Sequence, residues 1–361
     1  MYKGTGISKD QLSDDGEPCI LYGELYTKYK SETIREVISK TNIDNTKLVR
    51  SKANDVIIPC SGETAEDIAT ARCVLNGNIL LGGDLNIIRL HGYDGAFMSY
   101  QLNGRRKYDI AKVAQGVSVV HLYGEHLKGV KTINPCLEEQ KKIASLLALL
   151  DERISTQNKI IEDLKKLKSA IIEKLYKEIQ GTWYSYRQLF SIINERNKQL
   201  EYSNVLSASQ ERGMVSREDL NLDIHFERSN ISTYKIVKNG DYVIHLRSFQ
   251  GGFAFSEKTG ICSPAYTVLR PHNLLVYGYL SNYFTSRDFV NSLIIVTYGI
   301  RDGRSINVDE WLDMKVFIPS KEQQTHIVNV IESIENKIKN EETYSNYLLN
   351  QKQYLLRQMF I

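Results

Sequence analysis

The chain has 361 residues, a net charge of +3, 42% hydrophobic and 25% charged residues, which suits two domains with real cores and is too mildly basic to demand a nucleic-acid partner. No apolar signal region follows Met1, and the longest apolar runs, such as Ala144 to Leu150, are far too short to span a bilayer. Cys19, Cys60, Cys73, Cys136 and Cys262 never take a C-x-x-C spacing, so they read as reduced thiols in a cytoplasmic protein rather than as a zinc or redox site.

Residues 1–132 are rich in Gly, Asn, Ser and Tyr, with short β-branched runs such as DVIIP (Asp55 to Pro59) and GDLNIIRL (Gly83 to Leu90). These read as strands separated by turns. The loop Gln101-Leu102-Asn103-Gly104-Arg105-Arg106-Lys107 closes this part with a dense polar, basic cluster.

Residues 133–180 read as one long helix. The lead-in KTINP ends in Pro135, which disfavours helix before it and is tolerated at a helix start. Glu138 and Glu139 follow where negative charge meets the positive end of the helix dipole. Ile143, Leu147, Leu150, Ile154, Ile161, Leu164, Ile171 and Leu175 then form a heptad-like seam, with Gln157 and Lys168 completing the spacing. Forty residues of helix make a rod of roughly 60 Å, longer than a domain of this size is wide.

Residues 181–316 form a second globular part. It opens with GTWYSYRQLFSII (Gly181 to Ile193) and contains GDYVIHL (Gly240 to Leu246) and YTVLRP (Tyr266 to Pro271). Asn54-Asp55-Val56-Ile57-Ile58 is weakly echoed by Gly240-Asp241-Tyr242-Val243-Ile244, and each part then reaches a strand with an Arg, Arg89 or Arg270. Two further loops mix Arg with amide and hydroxyl side chains: one holds Arg247, Ser248 and Gln250, the other Arg301, Arg304 and Asn307.

Residues 317–361 repeat the long helix. With Pro135 on Pro319 the offset is 319 − 135 = 184, and it matches Glu138 with Glu322, Gln140 with Gln324, Leu147 with Ile331 and Tyr176 with Phe360 without a gap. The second seam holds Ile327, Ile331, Ile334, Ile338, Leu348, Leu355 and Met359. Two such rods in one chain can bury their seams on each other. The expected class is α+β: two mixed globular parts alternating with two long helices.

Catalytic motifs are missing. There is no phosphate-loop pattern, no H-E-x-x-H, no G-x-S-x-G and no metal-ligand spacing among the seven His. Asn134-Pro135-Cys136 resembles an Asn-Pro-Pro-aromatic methyltransferase motif but lacks its second Pro and its aromatic residue. Gly82-Gly83 and Gly251-Gly252 lack dinucleotide spacing and read as turns. No cofactor or metal is expected. Arg and Lys neutralise phosphates, Arg pairs with guanine edges, and Gln and Asn pair with adenine. Gln101, Asn103, Arg105, Arg106, Lys107, Arg247, Ser248, Gln250, Arg301, Arg304 and Asn307 are therefore the candidate DNA contacts. Any one of these loops is equally a solvated surface loop; three of them, split over both globular parts, favour nucleic acid.

The doubled pattern of strand, I-x-P or I-P, E-x-Q and seam-bearing helix, carried by Ile133 through Gln140 and Ile318 through Gln324, resembles the specificity subunit of type I restriction–modification systems. GEPCILYGELYTKY (Gly16 to Tyr29) and GICSPAYTVLRP (Gly260 to Pro271) look like stretches of its target recognition domains. The resemblance implies recognition domains at 1–132 and 181–316 and spacer helices at 133–180 and 317–361 that pair as an antiparallel coiled coil. It implies a non-catalytic reader of a split double-stranded DNA target, docked to two methyltransferase subunits and to restriction subunits. A rod of roughly 60 Å would separate the half-sites by at most about 18 base pairs. The first part lacks the Trp-led opening of the second and starts at Met1 inside what reads as the next element. This predicts a shortened or rearranged gene product with a longer upstream reading frame, or a first domain completed in another way. Two readings compete with the resemblance: a coiled-coil protein-interaction scaffold that does not read DNA, and a standalone DNA methyltransferase or nuclease.

Overall fold

The computed structural model describes residues 1–44, 46–116, 119–209, 212–220, 228–245, 252–298 and 305–360. Its two longest elements are the helices Leu137–Lys177 and Lys321–Gln358. The chain divides into two compact units, Met1–Ile160 with Glu341–Ile361, and Ile161–Asn340. Each unit therefore holds one globular part and a stretch of both long helices.

Within each unit the helix stretches run antiparallel. In the first, Arg153 Nε donates to the Tyr344 hydroxyl at 2.9 Å and Gln157 Nε2 donates to the Glu341 carboxylate. In the second, Lys168 Nζ meets Glu335 at 2.5 Å. Every predicted seam residue, Ile143 through Leu175 and Ile327 through Met359, is buried or half-buried. The seam also takes in residues that the heptad spacing passed over: Ala144, Ile172, Ser345, Leu356 and Phe360 are buried too. A helix flank meets a globular domain as well as its partner helix, so its buried face is wider than a two-stranded seam.

The first unit carries a five-stranded sheet in the order Tyr2–Lys3, Leu85–Ile88, Asp55–Pro59, Arg72–Val74, Thr33–Ile34. Asp55–Pro59 is buried at every residue, which is why DVIIP reads as a continuous apolar run rather than an alternating one. A smaller sheet joins Ser39–Thr41, Glu17–Ile20 and Leu80–Leu81. The core is aliphatic, built on residues such as Val56, Ile58, Ile68, Met98, Leu102 and Ile110. The short helix Gly95–Asn103 is capped by Asp94, whose carboxylate accepts the Phe97 N–H at 2.8 Å.

The second unit carries a four-stranded antiparallel sheet in the order Phe190–Ile193, Thr267–Pro271, Tyr242–Ile244, Phe253–Phe255. Apart from it, the opening strand Thr182–Ser185 pairs antiparallel with Lys315–Ile318, the strand that leads into the second long helix. The core here is aromatic. Tyr186 stacks on Trp311 at 4.3 Å, and Phe253, Phe284 and Phe289 surround them.

The faint echo between the globular parts is a shared device. Asp55, 1% exposed, accepts the Lys52 N–H at 2.8 Å and pairs with Arg89 through both carboxylate oxygens at 3.0 and 2.8 Å. Asp241, 2% exposed, accepts the Lys238 N–H at 2.8 Å and pairs with Arg270 through both oxygens at 2.9 Å. A buried carboxylate needs both kinds of partner, and the two-pronged Arg fork supplies the charge with fixed geometry.

Candidate nucleic-acid interface

The candidate DNA contacts fall into three groups. Gln101 is 1% exposed and spans the backbone of Ile133: Nε2 donates to its carbonyl at 2.7 Å and Oε1 accepts its N–H at 2.8 Å. Asn103 does the same to Ala71, at 2.8 and 2.7 Å. Asn307 caps the helix Val308–Asp313, accepting the Glu310 N–H at 3.3 Å. These three amides brace backbone. An exposed-loop reading overlooked that Gln101 and Asn103 lie in the last turn of the helix Gly95–Asn103.

Arg105, Arg106 and Lys107 follow that helix. Arg105 is exposed, Lys107 half-buried, and Arg106 pairs with Asp109 at 3.5 Å. Gly104 sits against the backbone of Leu356, where a Cβ would approach the carbonyl oxygen to 3.0 Å, so this basic turn lies beside the end of the second long helix. Arg247, Ser248, Gln250, Arg301 and Arg304 lie outside the described residues. Their segments connect paired strands: Tyr242–Ile244 to Phe253–Phe255, and Thr297–Tyr298 to Ser305–Ile306.

Chemistry for catalysis is not assembled among the described residues. Burial holds the thiols of Cys19 and Cys60 up at about 11 and those of Cys73 and Cys262 at about 12, so none of these four is a thiolate at neutral pH. No three or more His, Cys, Asp or Glu side chains among the described residues are placed to hold a metal. No helix among them is long and apolar enough to cross a membrane.

The long helices carry more structure than their seam predicted. Lys352 Nζ, on a side chain 12% exposed, contacts Asp151 at 2.6 Å and Glu32 at 2.5 Å. Asp151 also accepts from the hydroxyls of Tyr100 and Ser31, each at 2.8 Å. Burial raises the Glu32 carboxyl above its ordinary range, against the pull of Lys352, and lowers the Arg72 guanidinium nearby. The repeat held the signal for this network. At the 184 offset, 352 − 184 = 168 and 151 + 184 = 335, so Lys352–Asp151 is the same ion pair as Lys168–Glu335. The first unit also has an open groove of about 800 Å³ along its helix stretches, lined by Leu146, Leu149, Ile160, Tyr344 and Leu348 among others.

The comparisons with known proteins bear on this doubled architecture. No protein-family model matches the chain. The S subunit of a type I restriction–modification system from M. genitalium superposes with a TM-score of 0.56 over 100% of this chain and 93% of that one, at 16% identity. A chain from a structural study of complex assembly and conformational transition of the type I R-M system superposes at 0.62, over 98% and 93%, at 14% identity. The chain has the fold of a type I restriction–modification S subunit. In sequence, the MjaVIII type I restriction enzyme specificity subunit of Methanocaldococcus jannaschii is 28% identical over 156 residues. That alignment takes in 43% of this chain and 35% of the relative, so the match spans about a third of the curated relative's length. The S-subunit fold accounts for the repeat: two globular parts, each continued by a long helix.

Proposed function

We propose that this chain is the DNA-reading, non-catalytic specificity subunit of a type I restriction–modification complex. The observation that carries the reading is the S-subunit fold over essentially the whole chain, together with the internal repeat that builds it twice. In this reading each globular part reads one half of a split double-stranded target. The long helices dock methyltransferase subunits, two in number, and restriction subunits join the complex. The subunit needs no cofactor, acts in the cytoplasm, and leaves adenine methylation and cleavage to its partners. The open groove on the first unit's helix stretches, where Leu146, Leu149 and Ile160 stand beside Glu152, Arg153 and Gln351, supports docking of a partner there. Arg105, Lys107, Arg247, Ser248, Gln250, Arg301 and Arg304 remain the candidates for DNA contact.

The test is a methylation map, by single-molecule sequencing, of DNA from cells that express the chain with its methyltransferase partner. A split motif of two short blocks with a constant unspecified gap is expected. Absence of any modified motif would favour a scaffold that does not read DNA. Within a positive map, replacing Arg301 and Arg304 by Ala is expected to relax only one block, by about 1–3 kcal/mol per lost base contact. Equal weakening of both blocks would reduce these residues to general electrostatics.

A further inference from the structure

The E-x-Q residues of the repeat, Gln140 and Gln324, make the same joint twice. Each is 1% exposed and sits in the first turn of a long helix. Gln140 Nε2 donates to the Pro135 carbonyl at 2.8 Å, and its Oε1 accepts the Asp94 N–H at 2.9 Å. Gln324 Nε2 donates to the Pro319 and Leu274 carbonyls, each at 3.0 Å, and its Oε1 accepts the Val276 N–H at 2.8 Å. In both units the bonded N–H belongs to the segment that leads from the strand ending beside Arg89 or holding Arg270 to a short helix, Gly95–Asn103 or Tyr279–Tyr283.

The same short helix is held from its other side by the end of the other long helix. Phe360 packs on Phe97 at 5.2 Å between ring centroids, and Tyr176 packs on Tyr279 at 5.5 Å. Phe360 and Tyr176 are themselves equivalent, since 360 − 184 = 176. The Phe360 contact is apolar and tolerates sliding, whereas Tyr176 also donates its hydroxyl to the Tyr279 carbonyl, so the second joint has a further directional bond and the first has none from its aromatic. The amide is directional and is the element common to both joints, reaching the short helix's lead-in turn with a fixed geometry. A helix needs none of this to form: a Leu at either position would serve an apolar face as well.

We propose that Gln140 and Gln324 are positioning residues, each fixing the seating of one globular part on its own stretch of the long helices. Through that seating each controls how faithfully its own unit reads its half of the DNA target. The second statement rests on the specificity-subunit reading given above; the joint itself does not.

Two measurements test it. The first is amide hydrogen exchange on the purified full chain. Gln324→Met keeps the side-chain length and removes all three hydrogen bonds. It is expected to speed exchange at Val276 roughly tenfold or more, the factor that corresponds to about 1.4 kcal/mol, and to leave Asp94 unchanged. Gln140→Met should do the reverse. Unchanged exchange at both amides would overturn the joint. The second is the methylation map of the complex with each variant. Gln324→Met is expected to make one block of the split motif degenerate and Gln140→Met the other, with Gln324→Glu, which keeps the acceptor for Val276, intermediate. An unaltered motif in both variants, or equal loss in both blocks as a general stability defect would give, would overturn the positioning role. A wild-type map without a split motif would overturn the specificity-subunit reading and the fidelity claim with it, while the exchange experiment would still decide whether the joint exists.

Discussion

The two halves of the chain attach a globular part to a long helix in the same way at the helix and in different ways at the sheet. The strand Lys315–Ile318, which leads into the second long helix, is paired by Thr182–Ser185 along its length, and Val316 and Ile318 are each 4% exposed. Trp183 packs edge-on against Phe317 across that pair at 5.1 Å. The equivalent segment of the first half, residues 131–134, has no strand partner among the described residues, and Ile133 is 47% exposed. Among the described residues, its backbone is braced by the side chain of Gln101 at Ile133. The two-residue strand Tyr2–Lys3 lies opposite Ile87 and Asn86, where the second unit has Phe190–Ile193 on the Arg270 strand. The lesson is that the helix repeat must hold residue by residue, because each seam position meets a mate in its own partner. A sheet edge can change its cover without disturbing the rest.

The sharpest way to break this comparison is at the core position where the halves diverge most. Trp311 matches Leu127, since 311 − 184 = 127, and only Trp311 has an aromatic stacked on it. Trp311→Ala is expected to destabilise the second unit by about 3–5 kcal/mol, and Leu127→Ala the first by about 2–5 kcal/mol. Chemical denaturation followed by hydrogen exchange assigns the loss to its unit. A smaller loss for Trp311 than for Leu127 would show that the aromatic cluster adds nothing.

The repeated ion pair sharpens it next. Lys352→Met strands the buried carboxylates of Glu32 and Asp151 and is expected to cost about 3–5 kcal/mol. Lys168→Met breaks a pair whose side chains are 27% and 43% exposed, and the expected cost is about 1 kcal/mol or less. The pH dependence has a definite sign. Burial raises the Glu32 carboxyl, so its protonated form suits the fold. That carboxyl's contribution is most favourable below its ordinary range and is lost as pH rises through its raised value. The defect of Lys352→Met should therefore shrink in mildly acidic buffer, where the stranded Glu32 carboxyl can take up a proton. A defect that grows on acidification would contradict the network.

The smallest expected effect concerns the unpaired segment. Gln101→Leu removes the brace on Ile133, where water can replace it, so the cost is about 0.5–1.5 kcal/mol. The methylation motif should not change. A change of base preference would return Gln101 to the DNA contacts.

Much of this molecule was legible without coordinates. Gapless identity of phase, Pro and Gln over two helices gave the repeat, the seam and the α+β alternation, because helix periodicity is a local property that side-chain spacing records directly. The Asp–Arg echo was visible as Asp55 and Arg89 against Asp241 and Arg270. Its meaning was not, because strand pairing brings together residues that are 34 and 29 positions apart. The loop chemistry misled for the same reason at Gln101 and Asn103, whose backbone partners lie 32 residues away, whereas Asn307 is a local helix cap on Glu310.

The sequence by itself determined the two long helices, their seams and the absence of catalytic motifs, since these follow from local periodicity and residue spacing. Only the tertiary structure decided that Gln101 and Asn103 are braces, how Gln140 and Gln324 seat the short helices, and that Lys352 closes a buried network with Asp151 and Glu32. Each of those is a contact between distant stretches of chain, and its direction and burial depend on how the whole unit packs.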